Sequence, residues 1–289
     1  MFSGLNCFAF LGALGGLAAN PACKLIKPRQ LFFQRFDIAL VQGHVVLEPF
    51  HAVEVFLVVA GFVALALRLA FVDWRPEIYK SFLSHLFTRV APNPSGIIAA
   101  GHAAGYVLKH FASHKDAAER LVLLSPTWRG PLPTMMGGDR AIFSKIARAF
   151  DPPVVGAMLY GLNVNRVVVG MMARGHVYAD PAWLSGRRLE EKLAITRPPG
   201  ARHASARFVS GRLDPFRCRE EQEKAARGVA IPMLNVFSKN APTKSRAEME
   251  ALALLPNVRT VRLPEGKLSF YEEFPEKTAD VIHAFLVAH

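Results

Sequence analysis

Ser125, His102, Asp214 and Lys267 are the side chains from which a hydrolytic relay could be assembled in this sequence. Ser125 closes the apolar run Leu121-Val122-Leu123-Leu124, which puts a hydroxyl at the end of a strand, where chemistry sits in open parallel sheets. Asp214, in Gly211-Arg212-Leu213-Asp214-Pro215, is a candidate carboxylate, and His102 is a candidate imidazole. Lys267 could act as the base for a serine, because a desolvated lysine gives up its proton. Each also has a plainer account that carries more weight. Ser125 is then a loop or cap hydrogen-bonder, Asp214 a turn residue before Pro215, and His102 an ordinary surface or core imidazole.

The element that must position these groups is Ile97-Ile98-Ala99-Ala100-Gly101-His102-Ala103-Ala104-Gly105-Tyr106-Val107-Leu108-Lys109. It reads as a short buried strand, a sharp turn bracketed by glycines, and a helix. A G-x-S-x-G pattern in that setting exposes a nucleophilic serine on a strained turn. Here the pattern is G-H-A-A-G, and the expectation is that Ala103 occupies the nucleophile's place. A methyl group cannot attack a carbonyl.

Around this centre the chain alternates. Pro76 suits the first turn of a helix carrying Ile78, Phe82, Leu83, Leu86 and Val90 on one face. Strands are expected at Arg120–Pro126, Ile231–Phe237 and Val258–Leu263, with helices around Lys244–Leu254 and Phe274–Val287. Strand, helix, strand with short loops implies right-handed parallel crossovers. Between about 128 and 200 the rhythm breaks. Ala141–Phe150 has helical spacing, with Phe143, Ile146, Ala147 and Phe150 on one face and Arg140, Lys145 and Arg148 on the other. A cap helix packed over the sheet is the preferred reading, ahead of a lid that touches a membrane. Val154–Met172 is also apolar, but Asn163, Asn165 and Arg166 in its middle favour a cap helix over a membrane span.

The N-terminal 72 residues differ. Met1–Ala19 is apolar, and no positive charge precedes it, which argues against a secretory signal. The first acidic residue of the chain is Asp37, and Lys24, Lys27, Arg29 and Arg35 come before it, which suits a membrane anchor or an organellar transit peptide for a chloroplast or mitochondrion. Val55–Val72 is apolar except for Arg68 and is expected to be helical; its eighteen residues sit at the lower limit for a membrane span, and Gly61 with the Val-rich composition keeps a buried strand or core helix as alternatives. Phe36–Val41 and Val45–Leu47 could pair as a hairpin around Gln42-Gly43-His44.

Composition excludes several classes. A net charge of +12 favours anionic surfaces in general, but the basic residues are scattered without interleaved aromatics, which argues against nucleic-acid binding. Cys7, Cys23 and Cys218 lie far apart with no metal-binding spacing, so neither a disulfide framework nor a metal site is expected. A hydrophobic fraction of 51% leaves apolar surface to be covered by lipid or by a partner.

From about Asp73 to the C-terminus, G-H-A-A-G, then L-V-L-L-S-P, I-P-M-L-N-V-F and L-P-E-G-K-L-S-F-Y-E-E-F-P follow one another in the order and spacing of the α/β-hydrolase superfamily, which the chain resembles. The resemblance implies an α/β fold with a mostly parallel sheet, flanking helices and a helical cap over residues 128–200. Residues 1–72 would then be an anchor, a transit segment or a divergent start of the fold that holds at most part of its early strands. Carried over residue by residue, the family's nucleophile falls on Ala103, its acid on Asn240 and its histidine on Lys267. None of the three can fill its role in the relay. The family's His-Gly oxyanion loop has no counterpart beyond a reversed Gly43-His44. The function this implies is a pseudoenzyme that binds a small apolar ligand or a partner protein without a cofactor, with His102, Ala104, Ser125, Phe143 and Lys267 as the expected ligand contacts. The alternative is a hydrolase of ester-like apolar substrates working through Ser125, Asp214 and Lys267. Location is expected at a membrane or in an organelle, otherwise in the cytoplasm.

Overall fold

A computed structural model of the protein describes residues 55–57, 74–91, 94–114, 118–198 and 200–287. The hairpin expected at 36–47 and the apolar segment 1–19 lie outside the described residues.

Among the described residues, five parallel strands form one sheet in sequential order: β1 (Val55–Leu57), β2 (Gly96–Ala100), β3 (Leu121–Leu124), β4 (Met233–Ser238) and β5 (Val258–Leu263). Ala100 lies opposite Leu124, and Leu124 opposite Val236, so β2, β3 and β4 end nearly level. That alignment gathers the loops that follow them at one edge of the sheet. The strands read as unbroken apolar runs because both faces are covered. Ile97, Ala99, Leu121, Leu123 and Met233 pack with α1 (Pro76–His85) and α2 (Ala103–Phe111) on one face. Ile98, Ala100, Val122, Leu124, Leu234 and Val236 face the opposite way. They meet α11 (Phe270–Glu273) and α12 (Pro275–Leu286), whose Ile282, Phe285 and Leu286 point inward as their spacing predicts.

Val55 corrects the expectation of a helix over Val55–Val72. Residues Val55–Leu57 are β1, paired with Gly96–Ile98. The remainder of that apolar run, 58–72, lies outside the described residues. Among the described residues no single helix is long and apolar enough to cross a membrane.

Between β3 and β4 the chain builds six helices over the strand ends: α3 (Pro131–Met136), α4 (Ala141–Ala149), α5 (Pro153–Asn163), α6 (Arg166–Met172), α7 (Gly186–Ala194) and α8 (Ala201–Val209). A further helix, α9 (Arg219–Gly228), leads back into β4, and α10 (Thr243–Ala253) connects β4 to β5. In α4, Phe143 and Ala147 are buried, with Phe150 just beyond, as the spacing predicts. The apolar stretch Val154–Met172 breaks into α5 and α6, bent by 53°. Asn165 is the reason: its side-chain oxygen accepts from the amides of Val167 and Val168 and so starts a new helix.

His110, in the last turn of α2, is a buried imidazole against Phe87 and Phe111, stacked on His114 with ring centroids 4.2 Å apart. Burial first, then the neighbouring His114 and Lys80, lower its pKa from 6.5 to about 4. Below pH 6.5 the unfolded chain therefore takes up a proton that the folded chain refuses until about pH 4. The stability held by neutral His110 is complete above that window and is lost as the pH falls through it. Thermal melts between pH 7 and pH 4 are expected to show this loss, and His110→Phe is expected to flatten that part of the profile; an unchanged profile would discount His110 as its source.

Candidate functional site

The turn after β2 is built from the left-handed residue Gly101, with φ of 57°. Its amide donates to the Leu124 carbonyl across the strand end, and its carbonyl accepts from Thr127. Ala103 is instead the first residue of α2, packed in the core. Gly101, the left-handed residue of the turn, thus stands at the strand end, two residues before Ala103. Gly105, the last glycine of that pattern, serves packing. A β-carbon there would stand 2.8 Å from Pro215 and 3.3 Å from Trp128, so α2 can lie this close only without one.

Ser125 stands next door, at the end of β3, and is the non-glycine residue with positive φ, 44°, among the described residues. Its amide donates to Val236, while its buried Oγ has no hydrogen-bond partner among the described residues. Gly101 and Ser125 both line a cavity of about 570 Å³ at the C-terminal ends of the strands. That volume suits a small molecule. Its wall is mostly apolar, with Met135, Met171, Met172, Phe208, Leu268 and Tyr271, and it carries Arg129, Lys244 and His176 without any acidic residue.

His102 and Asp214 form a pair, with Nε2 and Oδ1 at 3.2 Å and both side chains mostly buried. Asp214 also accepts from the Gly130 amide at 2.7 Å. The imidazole stands edge-on to Tyr106 and Phe208, and the Tyr106 hydroxyl donates to the Leu213 carbonyl at 2.6 Å. The arrangement orients an imidazole by a carboxylate, which is two parts of a proton relay. It also ties the turn after β2 to the loop after α8. Neither residue is part of the cavity wall.

The other expected positions are used in backbone ties. Asn240, exposed after β4, donates through Nδ2 to the Pro264 carbonyl at 2.7 Å. Lys267, after β5, donates to the carbonyls of Arg174 at 3.1 Å and Gly175 at 3.3 Å. Their neighbours Pro242, Thr243, Leu268 and Ser269 line the cavity, whereas Asn240 and Lys267 do not. Of the expected ligand contacts, Ser125 lines the cavity; Ala104 and Phe143 are core residues, and His102 belongs to the pair with Asp214. The methionines and His176 were not legible as a site, since they come from helices that meet only in three dimensions. Among the described residues no group of acidic, histidine or cysteine side chains could hold a metal ion.

No protein-family model matches the sequence, and no curated protein matches it either. Solved structures do resemble the fold. A bromoperoxidase from Bacillus anthracis is 13% identical with a TM-score of 0.53, over 74% of this chain and 75% of its own. MGS-M2, an α/β-hydrolase enzyme from a Medee basin deep-sea metagenome library, is 13% identical with a TM-score of 0.53, over 76% of this chain and 74% of its own. A thermophilic esterase from Thermogutta terrifontis is 16% identical with a TM-score of 0.51, over 74% of this chain and 72% of its own. The sequential parallel sheet, its flanking helices and these likenesses together show that the chain has the α/β-hydrolase fold.

Proposed function

We propose that this protein is a non-catalytic member of its fold, which binds a small apolar ligand in the cavity at the strand ends and does not turn it over. The observation that carries the reading is Gly101. The left-handed turn facing the cavity, where this architecture presents a nucleophile, holds a residue with no side chain. Asn240 and Lys267, the positions that the resemblance assigns to acid and base, are spent on backbone carbonyls. The apolar wall and the volume support a hydrophobic ligand.

One observation favours the second reading, a hydrolase of ester-like substrates with relocated groups. Ser125 lines the same cavity and its hydroxyl is buried without a partner. A serine without a base is a weak nucleophile near neutral pH, which ranks this reading below the first. Titration of the full chain with Nile red tests the binding claim. Saturable one-site binding is expected, weakened about tenfold by Met172→Lys, which sets a charge in the apolar wall. Absence of saturable binding, or binding indifferent to Met172→Lys, counts against the cavity as the ligand site.

A further inference from the structure

α5 and α6 turn their apolar sides to solvent. On α5, Val154 is 79% exposed, Met158 59% and Leu162 64%; on α6, Val167 is 75% and Met171 41% exposed. These are not scattered singles. On α5 they recur at helical spacing, and Val155 broadens the stripe. The opposite side of α5 is the one that holds it to the cap. Gly156 lies against the Phe150 carbonyl, Asn163 is buried, and Leu159 and Tyr160 pack on the cluster formed with α4 and α8. The exposed stripe is therefore a second, unpartnered face of an already anchored helix. Contiguous apolar surface of this kind marks an interaction site.

The charge around that face identifies its partner. From residue 140 to 177 the chain carries Arg140, Lys145, Arg148, Arg166 and Arg174, with Asp151 the one acid in that stretch; Arg166 is paired at 2.6 Å with Glu190 of α7, which leaves the α4 cations and Arg174 as the charge offered outward. Asp151 is turned to its own cap: it accepts hydrogen bonds from His203 and Arg207, which hold its carboxyl below the usual range against the opposing pull of burial. Arg140, Lys145 and Arg148 are exposed along α4, and Arg174 lies just past α6. An exposed apolar stripe in a cap whose preceding helix exposes Arg140, Lys145 and Arg148 matches a bilayer of anionic lipids, with apolar side chains entering the acyl boundary and cations meeting the headgroups.

We propose that the α5–α6 face of the cap is a docking surface for an anionic lipid bilayer. Met171 belongs both to this face and to the cavity wall, and Met135 and Met172 continue the wall inward. Docking would therefore bring the cavity mouth to the lipid surface. The face lies on α5 and α6 alone and does not depend on whether the cavity is catalytic.

The test is cosedimentation of the full chain with vesicles of phosphatidylcholine alone and of phosphatidylcholine with a third phosphatidylglycerol. Wild type is expected to bind the anionic vesicles more tightly, and salt at about 1 M should abolish the difference. The combined variant Val154→Asp, Leu162→Asp and Val167→Asp changes only exposed positions. It is expected to bind anionic vesicles at least about tenfold more weakly while keeping its melting temperature and its Nile red affinity. Lys145→Glu with Arg148→Glu should weaken binding to anionic vesicles alone, by about fivefold per cation removed from the headgroup region. Undiminished binding by the triple variant would overturn the proposal by placing lipid affinity elsewhere in the chain. Absence of wild-type binding would overturn it as well. So would light scattering that shows a dimer which the triple variant dissociates, since a second copy would then occupy this face.

Discussion

Hydrolysis of short-chain esters by the full chain is expected to stay at background, about a millionfold below the rate that an intact relay gives. Neither residue of the turn can attack, because Gly101 has no side chain and Ala103 only a methyl group. Replacing Gly101 by serine is not expected to restore turnover. A serine at a φ of 57° costs roughly 1–2 kcal/mol of backbone strain, and its hydroxyl would lack a base among the expected positions. The Lys267 ammonium is held by the Arg174 and Gly175 carbonyls, and Asn240 is tied to Pro264. The Gly101→Ser, Asn240→Asp, Lys267→His combination is the variant with the parts for a relay, and any gain should appear there and not in the single change. Assays with p-nitrophenyl acetate and butyrate on repurified protein decide the matter. Wild-type turnover that survives repurification and disappears in Ser125→Ala, Asp214→Asn or Lys267→Met would establish the relocated hydrolase instead.

The turn after β2 shows how the sequence is legible and where it is not. The glycines of G-H-A-A-G point to Ala103, while the left-handed conformation falls on Gly101. The strand Gly96–Ala100 ends one residue before Gly101, and the geometry follows the strand end. Apolar runs bounded by turn residues predicted β2, β3, β4 and β5, because buried parallel strands leave that signature. The same signature misled at Val55, where an apolar run long enough to suggest a helix opens with three residues of strand. The sequence offers His102 and Asp214 as separate candidates, but their pairing across 112 residues depends on how the loop after α8 folds back. Cavity residues such as Met135, Met171 and His176 had no local pattern at all, since a cap wall is set by packing between helices.

Glu272→Gln is expected to be the most damaging conservative change to the attachment of the cap, at about 3–5 kcal/mol, or roughly 10 °C in melting temperature. The Lys192 side chain on α7 is 1% exposed and its ammonium lies 2.9 Å from the Glu272 carboxylate. That carboxylate also accepts from the Tyr178 hydroxyl at 2.8 Å, and burial followed by the nearby Glu272 charge holds the Tyr178 phenol well above its ordinary value. Glu273 takes the amides of Ala179 and Asp180 at 2.8 and 2.9 Å. Glu272 and Glu273 together therefore clamp the cap at Tyr178–Asp180 and Lys192 onto α11. Glu272→Gln would remove the negative charge that faces a buried ammonium, and the cost is that of breaking a buried ion pair, not of losing a surface bridge. Two further variants separate these accounts. Lys192→Met in the wild-type background leaves the carboxylate without its cation and should also destabilise. Lys192→Met combined with Glu272→Gln removes both charges, and its loss should fall well short of the sum of the single changes, a coupling that a double-mutant cycle in urea measures directly. Strict additivity would show that the pair is not coupled in the folded protein. A cap loosened at this end should also lose Nile red affinity, because the Lys267 tie to Arg174 and Gly175 and the cavity residues Leu268, Ser269 and Tyr271 belong to the same stretch of chain.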